Sequence, residues 1–576
     1  MKPSKLIPLI LFALLATACA EQRAEPEKKP EHVVSGGQNS TSPVKPVVPI
    51  VPTGSINQSV ALETRELRKL YDADIARARP LHAAEAAAMI APYPAHYIDQ
   101  PVDRENYQHY KANGIFVVSE DPVSTFSIDV DTASYSNIRR MLVKEGRLPP
   151  HDAVRLEEMI NYFGYNYATP AAGSQPFSIN TELAPAPWSK NRYLLQIGLK
   201  GFEPQLDKRP PANLVFLIDV SGSMRSPDKL GLVKKSLRLL VNQMTAEDRI
   251  SLVVYAGAAG MVLDATPGDK KATIMTAIDA LHSGGSTHGS AGIELAYALA
   301  QQNMIEGGIN RVLIASDGDM NVGTVNIEAL KTLIIRKREA GIALTTLGFG
   351  SGNYNYALME QIADVGNGNA AYIDSLQEAQ KVLVNEMQST LLTIASDVKI
   401  QIEFNPAVVS EYRLIGYENR LLNREDFAND KVDAGDIGAG HTVTALYEIA
   451  LVGDGGEQVP ALRYGNNDTA REIGHGEIAF VKLRYKTPGT SNSIETSQVI
   501  SRAALNASLG NSSTDLRFAA SVAGFGQILQ GGTFTSDWGY QDALSLARNA
   551  RGDDPHGYRS EFIHLIELAQ SLSSPI

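Results

Sequence analysis

The sequence lacks several features that would assign it to a common functional class. Its 576 residues contain one cysteine, so no disulfide can form within the chain. Lysine and arginine number 52 against 64 aspartates and glutamates, and this acidic balance argues against non-specific nucleic-acid binding. The chain has no G-x-x-x-x-G-K-[ST] loop, H-E-x-x-H motif or Cys/His cluster. The usual signatures of a nucleotide-hydrolysing or zinc-dependent enzyme are therefore missing.

The N-terminus has the pattern of a secretory signal. Two lysines precede an almost wholly apolar run at 6–15, which is too short to cross a bilayer well, and small residues follow at 16–18. A signal that ends at a lone cysteine resembles that of bacterial lipoproteins, which implies that Cys19 becomes the lipidated first residue. The alternative is an ordinary secreted protein, since alanine replaces the usual leucine three positions before the cysteine. Ala20 is not the aspartate that retains some lipoproteins at the inner membrane, so the resemblance favours the periplasmic face of the outer membrane.

The remaining chain divides into stretches of different composition and periodicity. Pro-, Glu-, Lys-, Ser- and Gly-rich sequence predicts a disordered tether, because it cannot bury enough apolar surface to order itself. Alternating and helical patterns mark the other boundaries. We predict a signal peptide (1–18), a tether (19–58), a helical linker (59–105), an N-terminal segment (106–176), β strands that join a C-terminal sandwich (177–210), an α/β domain (211–388), a β-sandwich-like domain (390–495) and a helical region (496–576).

The α/β domain is organised around the stretch L-V-F-L-I-D-V-S-G-S-M at 214–224. Its apolar run is typical of a strand buried on both faces of a parallel sheet, and its polar end is typical of a loop at the carboxyl edge, where such folds bind ligands. Strand and helix patterns alternate onward, which predicts a doubly wound, mostly parallel sheet. The predicted strands lie near 214–219, 250–255, 311–315, 342–347 and 370–373, and the predicted helices near 228–244, 289–301, 327–339, 356–364 and 376–387.

Three separated motifs of this domain resemble the von Willebrand factor type A (VWA) domain and its metal-ion-dependent adhesion site. They are the D-V-S-G-S loop, the G-G-S-T loop and the S-D-G loop. The resemblance implies that one Mg²⁺, with Mn²⁺ and Ca²⁺ as alternatives, is held by Asp219, Ser221, Ser223, Thr287 and Asp317.

The chemistry of these side chains agrees with the resemblance. Mg²⁺ prefers oxygen ligands at roughly 2.0–2.1 Å and keeps waters readily. Neutral hydroxyl ligands leave the ion with residual positive charge, and an open position would accept a carboxylate. The expected function is therefore binding of a protein partner that presents Asp or Glu. Taken singly, Asp219 and Ser221 also fit a helix cap and Asp317-Gly318 a turn.

The flanking segments resemble those of the YfbK-like VWA lipoproteins of bacteria over residues 106–575. The N-terminal part contains F-S-I-D-V-D-T-A-S-Y-S-N-I-R-R-M-L at 126–142, which predicts a short strand and a helix ended by Pro149-Pro150. An amphipathic helix is predicted at 153–163. The resemblance names an architecture without defining a partner.

The sequence is compatible with two alternatives to partner binding, and it contains two further acidic motifs. The metal could stabilise the fold of a structural envelope protein rather than bind a partner. A metal-dependent hydrolase would need a base and a nucleophile near the ion, and the sequence shows no such group. Asp129 and Asp131 are interpreted as turn and helix-cap residues, with a second cation site as the alternative. The aspartates of N-D-K-V-D-A-G-D at 429–436 are interpreted as a solvated loop, because no bidentate glutamate follows at the required distance. In adhesive VWA domains the last helix often moves, and the candidate here is 376–387.

Overall fold

The structure is a computed structural model of the chain. The predicted signal peptide, Cys19, the tether and almost all of the predicted linker lie outside the described residues, and so does Thr287. All of the described residues belong to one compact unit, 98–576. The described residues are 105–171, 175–203, 209–256, 259–284, 290–318, 327–352, 354–460, 462, 476–490 and 492–573.

The secondary-structure elements are numbered here in chain order. The strands are β1 (Phe116–Val117), β2 (Val123–Ser127), β3 (Phe177–Pro185), β4 (Arg192–Gly201), β5 (Ala212–Asp219), β6 (Arg249–Tyr255), β7 (Ala259–Pro267), β8 (Ile309–Ser316), β9 (Ala343–Phe349), β10 (Ala370–Ile373), β11 (Thr393–Phe404), β12 (Val409–Ile415), β13 (Gly435–Gly438), β14 (Thr442–Leu451), β15 (Glu477–Lys486) and β16 (Ser493–Ser501). The helices are α1 (Ala133–Arg140), α2 (Leu156–Asn161), α3 (Leu230–Gln243), α4 (Lys271–Asp279), α5 (Ser290–Gln302), α6 (Ile327–Glu339), α7 (Tyr356–Asp364), α8 (Leu376–Gln380), α9 (Met387–Leu391), α10 (Thr514–Leu529), α11 (Tyr540–Asn549) and α12 (Tyr558–Ser573).

The central α/β domain is built on a six-stranded sheet in the order β10-β9-β8-β5-β6-β7. All neighbours pair in parallel except β6 and β7. Every residue of β5 is buried, because its apolar side chains pack alternately into separate cores on the two faces of the sheet. The predicted doubly wound, mostly parallel fold is confirmed. Strand β7 and helix α4 were not predicted from the sequence. Strand β7 is a largely solvent-accessible edge strand without a buried apolar run.

Two antiparallel sheets form a sandwich beside this domain. One has the order β1-β12-β14-β4-β3, and the other has the order β13-β11-β15-β16, with β2 also paired to β11. Their inner faces share one apolar core. Strands β3 and β4 precede the α/β domain in sequence, yet β4 pairs with β14, which follows it. The α/β domain is therefore an insertion within the sandwich.

The N-terminal and C-terminal helices share a further core. Apolar side chains of α1 and α2 pack with those of α10, α11 and α12. The helix after β2 ends earlier than predicted: α1 continues as a π-helical turn and stops at Gly146, whose φ of 62° suits glycine, before Pro149 is reached. The predicted helix at 153–163 is shorter, at Leu156–Asn161.

Two other predicted elements differ from the structure. The helical region expected from residue 496 begins later, because the exposed edge strand β16 runs to Ser501 and α10 starts at Thr514. The predicted helix 376–387 is divided into α8, a π-helical turn at Lys381–Asn385 and α9, and Glu386 N donates to Lys381 O across the widened turn at 2.8 Å. Among the described residues, no helix combines the length and apolar character that crossing a membrane requires.

Candidate metal centre

Two aspartates lie at the carboxyl ends of neighbouring parallel strands. Asp219 is the last residue of β5, and Asp317 follows the last residue of β8. The two strands pair in register, with Ile218 opposite Ala315. Both carboxyl groups are fully buried. The strand pairing thus brings the first and third predicted loops to the same edge of the sheet.

Asp219 is held by donors from three directions. Its Oδ1 accepts a hydrogen bond from the backbone of Ser221 at 2.8 Å. Its Oδ2 accepts from the hydroxyls of Ser316 at 3.2 Å and Tyr255 at 3.3 Å, the last residues of the strands on either side. Burial raises the pKa of Asp219 to about 6, and the charge of Asp317 adds to the increase. The site thus holds a carboxylate in a place where an added positive charge would stabilise it.

The two serines of the first loop are close to each other. Ser221 has an extended backbone and Gly222–Arg225 forms a single 3₁₀ turn. The hydroxyl oxygens of Ser221 and Ser223 lie 2.9 Å apart, and Ser221 is buried while Ser223 is exposed. Two oxygens at this separation can serve as neighbouring ligands of one small cation.

The second loop begins beside the first. Gly284 N donates to the carbonyl of Val220 at 2.7 Å, so the chain leading to the G-G-S-T motif is attached to the loop of Asp219. Thr287 lies outside the described residues. The structure therefore places four of the five predicted positions at this edge and leaves the fifth undescribed.

Lys229 is the functional neighbour that sequence reasoning missed. Its Nζ donates to Asp317 Oδ2 at 2.9 Å, and only 8% of the residue is exposed. Its aliphatic stem covers Gly350, where a Cβ would lie 2.3 Å from Lys229 Cγ. Gly350 has a φ of 77°, so glycine suits both the backbone and the lysine. Nothing in the local sequence distinguishes Lys229 from a surface lysine at the start of α3.

Taken together, the donor set fits a hard divalent cation. It consists of carboxylate and hydroxyl oxygens, the ligand types that Mg²⁺, Mn²⁺ and Ca²⁺ accept. The raised pKa of Asp219 and the ion pair at Asp317 both show carboxylates placed where positive charge is favourable. Lys229 already supplies part of that charge and would oppose a metal ion at Asp317.

Family comparisons agree with this fold. The model described as von Willebrand factor type A domain matches 213–390, and one described as von Willebrand factor matches 101–196. The central domain is thus a VWA domain. A third model, described as the C-terminal region of the uncharacterized protein YfbK, matches 389–572.

A relative then defines the family. The uncharacterized protein YfbK of Escherichia coli K12 is 45% identical over 520 residues, which cover 89% of each chain. This chain belongs to the YfbK family of VWA-domain proteins, as the sequence resemblance predicted.

More distant matches are confined to parts of the chain. Inter-alpha-trypsin inhibitor heavy chain H3 of Homo sapiens is 26% identical over 273 residues, 43% of this chain and 30% of that protein. A solved von Willebrand factor type A structure from Catenulispora acidiphila aligns with a TM-score of 0.37 at 16% identity, covering 66% of this chain and 89% of that one.

Proposed function

We propose that this chain is an envelope-anchored lipoprotein whose VWA domain binds a protein partner through a carboxylate bridged by Mg²⁺. The observation that carries the proposal is the convergence of Asp219, Ser221 and Ser223 beside Asp317 at one edge of the sheet. Their carboxylate and hydroxyl oxygens suit Mg²⁺, with Mn²⁺ and Ca²⁺ as alternatives.

Each residue has a distinct part in this proposal. Ser221, Ser223 and Thr287 supply neutral oxygens, and Asp219 and Asp317 supply carboxylates directly or through water. Because most ligands are neutral, the bound ion keeps residual positive charge and attracts an Asp or Glu of the partner. Tyr255 and Ser316 orient Asp219 through their hydroxyls.

The proposed location depends on the N-terminal sequence alone. Lipidation of Cys19 would anchor the chain, and two or more acyl chains are needed for stable attachment. The periplasmic face of the outer membrane is favoured over the inner membrane. A Cys19→Ser variant should leave the membrane fraction.

We further propose that the chain is not an enzyme. Apart from the proposed ligands, the polar side chains described at Asp219 and Asp317 are donors that already hold these carboxylates: the hydroxyls of Tyr255 and Ser316, and the ammonium of Lys229. A hydrolase would need a general base and a nucleophile beside the ion.

Pull-down from detergent-solubilised envelope tests partner binding. The intact chain should retain the partner with Mg²⁺ and lose it with chelator, and Asp219→Ala should lose it under both conditions. Asp264→Ala, an exposed aspartate of β7, is the matched control and should behave as the intact chain. Equal capture by the Asp219 variant would contradict the proposal.

Thermal melting distinguishes a metal that serves partner binding from a metal that only stabilises the fold. If the metal at Asp219 mainly stabilises the fold, omitting Mg²⁺ at constant Ca²⁺ should lower the melting temperature of the intact chain by several degrees and leave Asp219→Ala unaffected. If the metal serves the partner, melting should change little while capture is lost.

A further inference from the structure

A second acidic region lies away from Asp219, where the N-terminal segment, the VWA domain and the sandwich meet. A cavity of about 230 Å³ opens there. The carboxyl side chains of Asp129, Asp131, Asp364, Asp433 and Asp436 are among its lining residues. This volume holds several water molecules and is ample for one cation. Aspartates from all three parts of the chain thus face one small space.

Asp129, which lines the cavity, also lies close to two glutamates of α2. Asp129, Glu157 and Glu158 each offer a carboxylate oxygen, and these oxygens lie within 4.8 Å of one another. All three residues are at most 3% exposed. Two ligands on opposite sides of a Ca²⁺ ion are about 4.6–5.2 Å apart, since each lies at 2.3–2.6 Å. The three oxygens therefore already lie within the span of one Ca²⁺ coordination shell.

The positive charges nearby are too few for the carboxylates. Arg420 is shared by four of them, at 3.2 Å from Asp129, 3.3 Å from Asp131, 3.5 Å from Glu360 and 2.8 Å from Asp364. Glu158 accepts from neutral donors instead, the backbone of Ser134 at 2.8 Å and the hydroxyl of Tyr356. Arg155 is the other guanidinium whose charge acts on Glu157 and Glu158. Six buried or half-buried carboxyl groups thus face two guanidinium groups.

Buried oxygens without a hydrogen-bond partner among the described residues favour the binding of a cation here. Glu157 is fully buried, and its Oε2 accepts from the backbone of Tyr417 at 3.0 Å. Its Oε1 has no hydrogen-bond partner among the described residues. The same is true of Asn419 Oδ1 and Asp436 Oδ2, both on residues that line the cavity. A buried oxygen without a partner is costly unless a cation or proton satisfies it.

We propose that Asp129, Glu157 and Glu158 form a Ca²⁺ site, reached through this cavity and separate from the site at Asp219. All available ligands are oxygens, which selects a hard cation such as Ca²⁺. Glu157 and Glu158 lie on α2, Asp129 follows β2, and Arg420 links Asp129 to α7 of the VWA domain. The ion would therefore join the end of β2 to α2 within the N-terminal segment.

Calorimetric titration of the purified full-length chain with CaCl₂ tests the site. The Asp219→Ala variant should still bind one Ca²⁺ per chain and should melt at higher temperature with Ca²⁺ than with chelator. Adding Glu157→Gln should weaken this binding at least tenfold and remove the melting shift. The glutamine keeps an acceptor for Tyr417 N and has the volume of glutamate, so the fold should be retained. Failure of the proposal at Asp219 would leave these results unchanged.

Controls make each outcome decisive. Glu403→Gln, an exposed glutamate of β11, should bind Ca²⁺ as its parent does. Should Asp219→Ala fail to fold, the stoichiometry of the otherwise intact chain decides the question: Glu157→Gln should bind one Ca²⁺ fewer. Terbium luminescence gives a second readout, because Tyr356 contacts Glu158 and would sensitise a bound Tb³⁺. If the cluster takes up protons only, Glu157→Gln will change neither stoichiometry nor luminescence, and the proposal is overturned.

Discussion

At the scale of single residues, Lys229 decides how strongly the site at Asp219 can hold a metal. Its ammonium group lies 2.9 Å from Asp317 Oδ2, so a divalent ion bound by Asp317 must either share that carboxylate with Lys229 or displace it. Repulsion between like charges at such distances is substantial in a largely buried site. In the proposed metal site, the lysine would keep Asp317 ordered without metal and would lower the affinity for the ion.

Replacing Lys229 by methionine should strengthen Mg²⁺ binding. Methionine keeps the apolar contact with Gly350 and removes the charge, so we expect affinity to rise at least tenfold, or about 1.4 kcal/mol. Calorimetric titration with MgCl₂ measures the change. Lys235→Met, an exposed lysine of the same helix, is the control and should leave affinity unaltered. Weaker Mg²⁺ binding by the Lys229 variant would show that the lysine supports the site instead of competing with the ion.

His441 should make the stability of the protein depend on pH. Burial lowers the pKa of His441 to about 4, and the charges of Lys381 and Lys200 lower it further. The unfolded chain therefore binds this proton near pH 6.5 while the folded chain stays neutral, so stability should fall as pH drops from about 6.5 to 4. Over that pH range, the free energy of unfolding of His441→Gln should fall by on the order of 1–2 kcal/mol less than that of the parent protein. Urea unfolding at each pH measures the difference. His282→Gln, an exposed histidine, should follow the parent curve.

The sequence predicted the positions of Asp219 and Asp317 in the candidate metal centre. It did not predict the side chains that contact the aspartates from distant parts of the chain. An apolar run that ends in D-x-S-x-S identifies the end of a buried strand, and β5 indeed ends at Asp219. Their role as metal ligands stays a prediction. Lys229 approaches Asp317 across 88 positions, and Arg420 approaches Asp129 across 291, so only the tertiary fold brings these pairs together. No local periodicity encodes such contacts.

At the scale of elements, Arg139 forms ion pairs that connect the C-terminal end of the VWA domain with helices α1 and α12. It lies on α1 and contacts Asp374 before α8 at 3.0 Å, Glu378 on α8 at 2.8 Å and Glu561 on α12 at 2.8 Å. Asp374 and Glu378 are buried. A shift of the last VWA helix, the motion expected by analogy with adhesive VWA domains, would have to break these ion pairs.

Arg139→Met should destabilise the fold by about 3–5 kcal/mol, because it leaves two carboxylates buried without their cation. Urea unfolding measures the loss. Arg238→Met removes an exposed pair with Asp279 and should cost less than about 1 kcal/mol. Adding Glu378→Gln to the Arg139 variant should restore part of the stability. Equal effects of the two arginine variants would mean that the buried pairs contribute no more than the surface pair.

The strands that were predicted from the sequence are more deeply buried than those that were not. Strands β5, β8 and β9 are buried almost throughout and were recognised as continuous apolar runs. Strands β7 and β16 are edge strands with mostly accessible side chains, so the apolar pattern is weak. The π-helical turn that interrupts the last VWA helix begins at Lys381, whose ammonium lies 4.4 Å from the centre of the Tyr162 ring, and no helical periodicity reveals that contact.

At the scale of the whole molecule, the sandwich depends on strands from both sides of the VWA domain. β4 pairs with β14 over nine residue positions, and β2 pairs with β11. A chain that begins at residue 211 would lack β1 to β4, α1 and α2, and would expose the apolar faces against which they pack. We expect it to aggregate, or to melt without a cooperative transition, by calorimetry and analytical ultracentrifugation.

A chain of residues 105–573 is the matched comparison for that truncation. It keeps every strand of both sheets and should melt cooperatively as a monodisperse species. A soluble, cooperatively melting chain from residue 211 would show that the C-terminal domain folds without the N-terminal strands.

The insertion would have a mechanical consequence if the protein is anchored as proposed. The chain enters the VWA domain after β4 and leaves it into β11, and these strands belong to opposite sheets of the sandwich. Tension applied by a partner at the loops of the VWA domain would reach the sandwich along two covalent paths, one into each sheet. Each path ends in a strand that is hydrogen-bonded to a neighbour on both sides. Both sheets would therefore resist the force together, and no single edge strand would have to bear it alone.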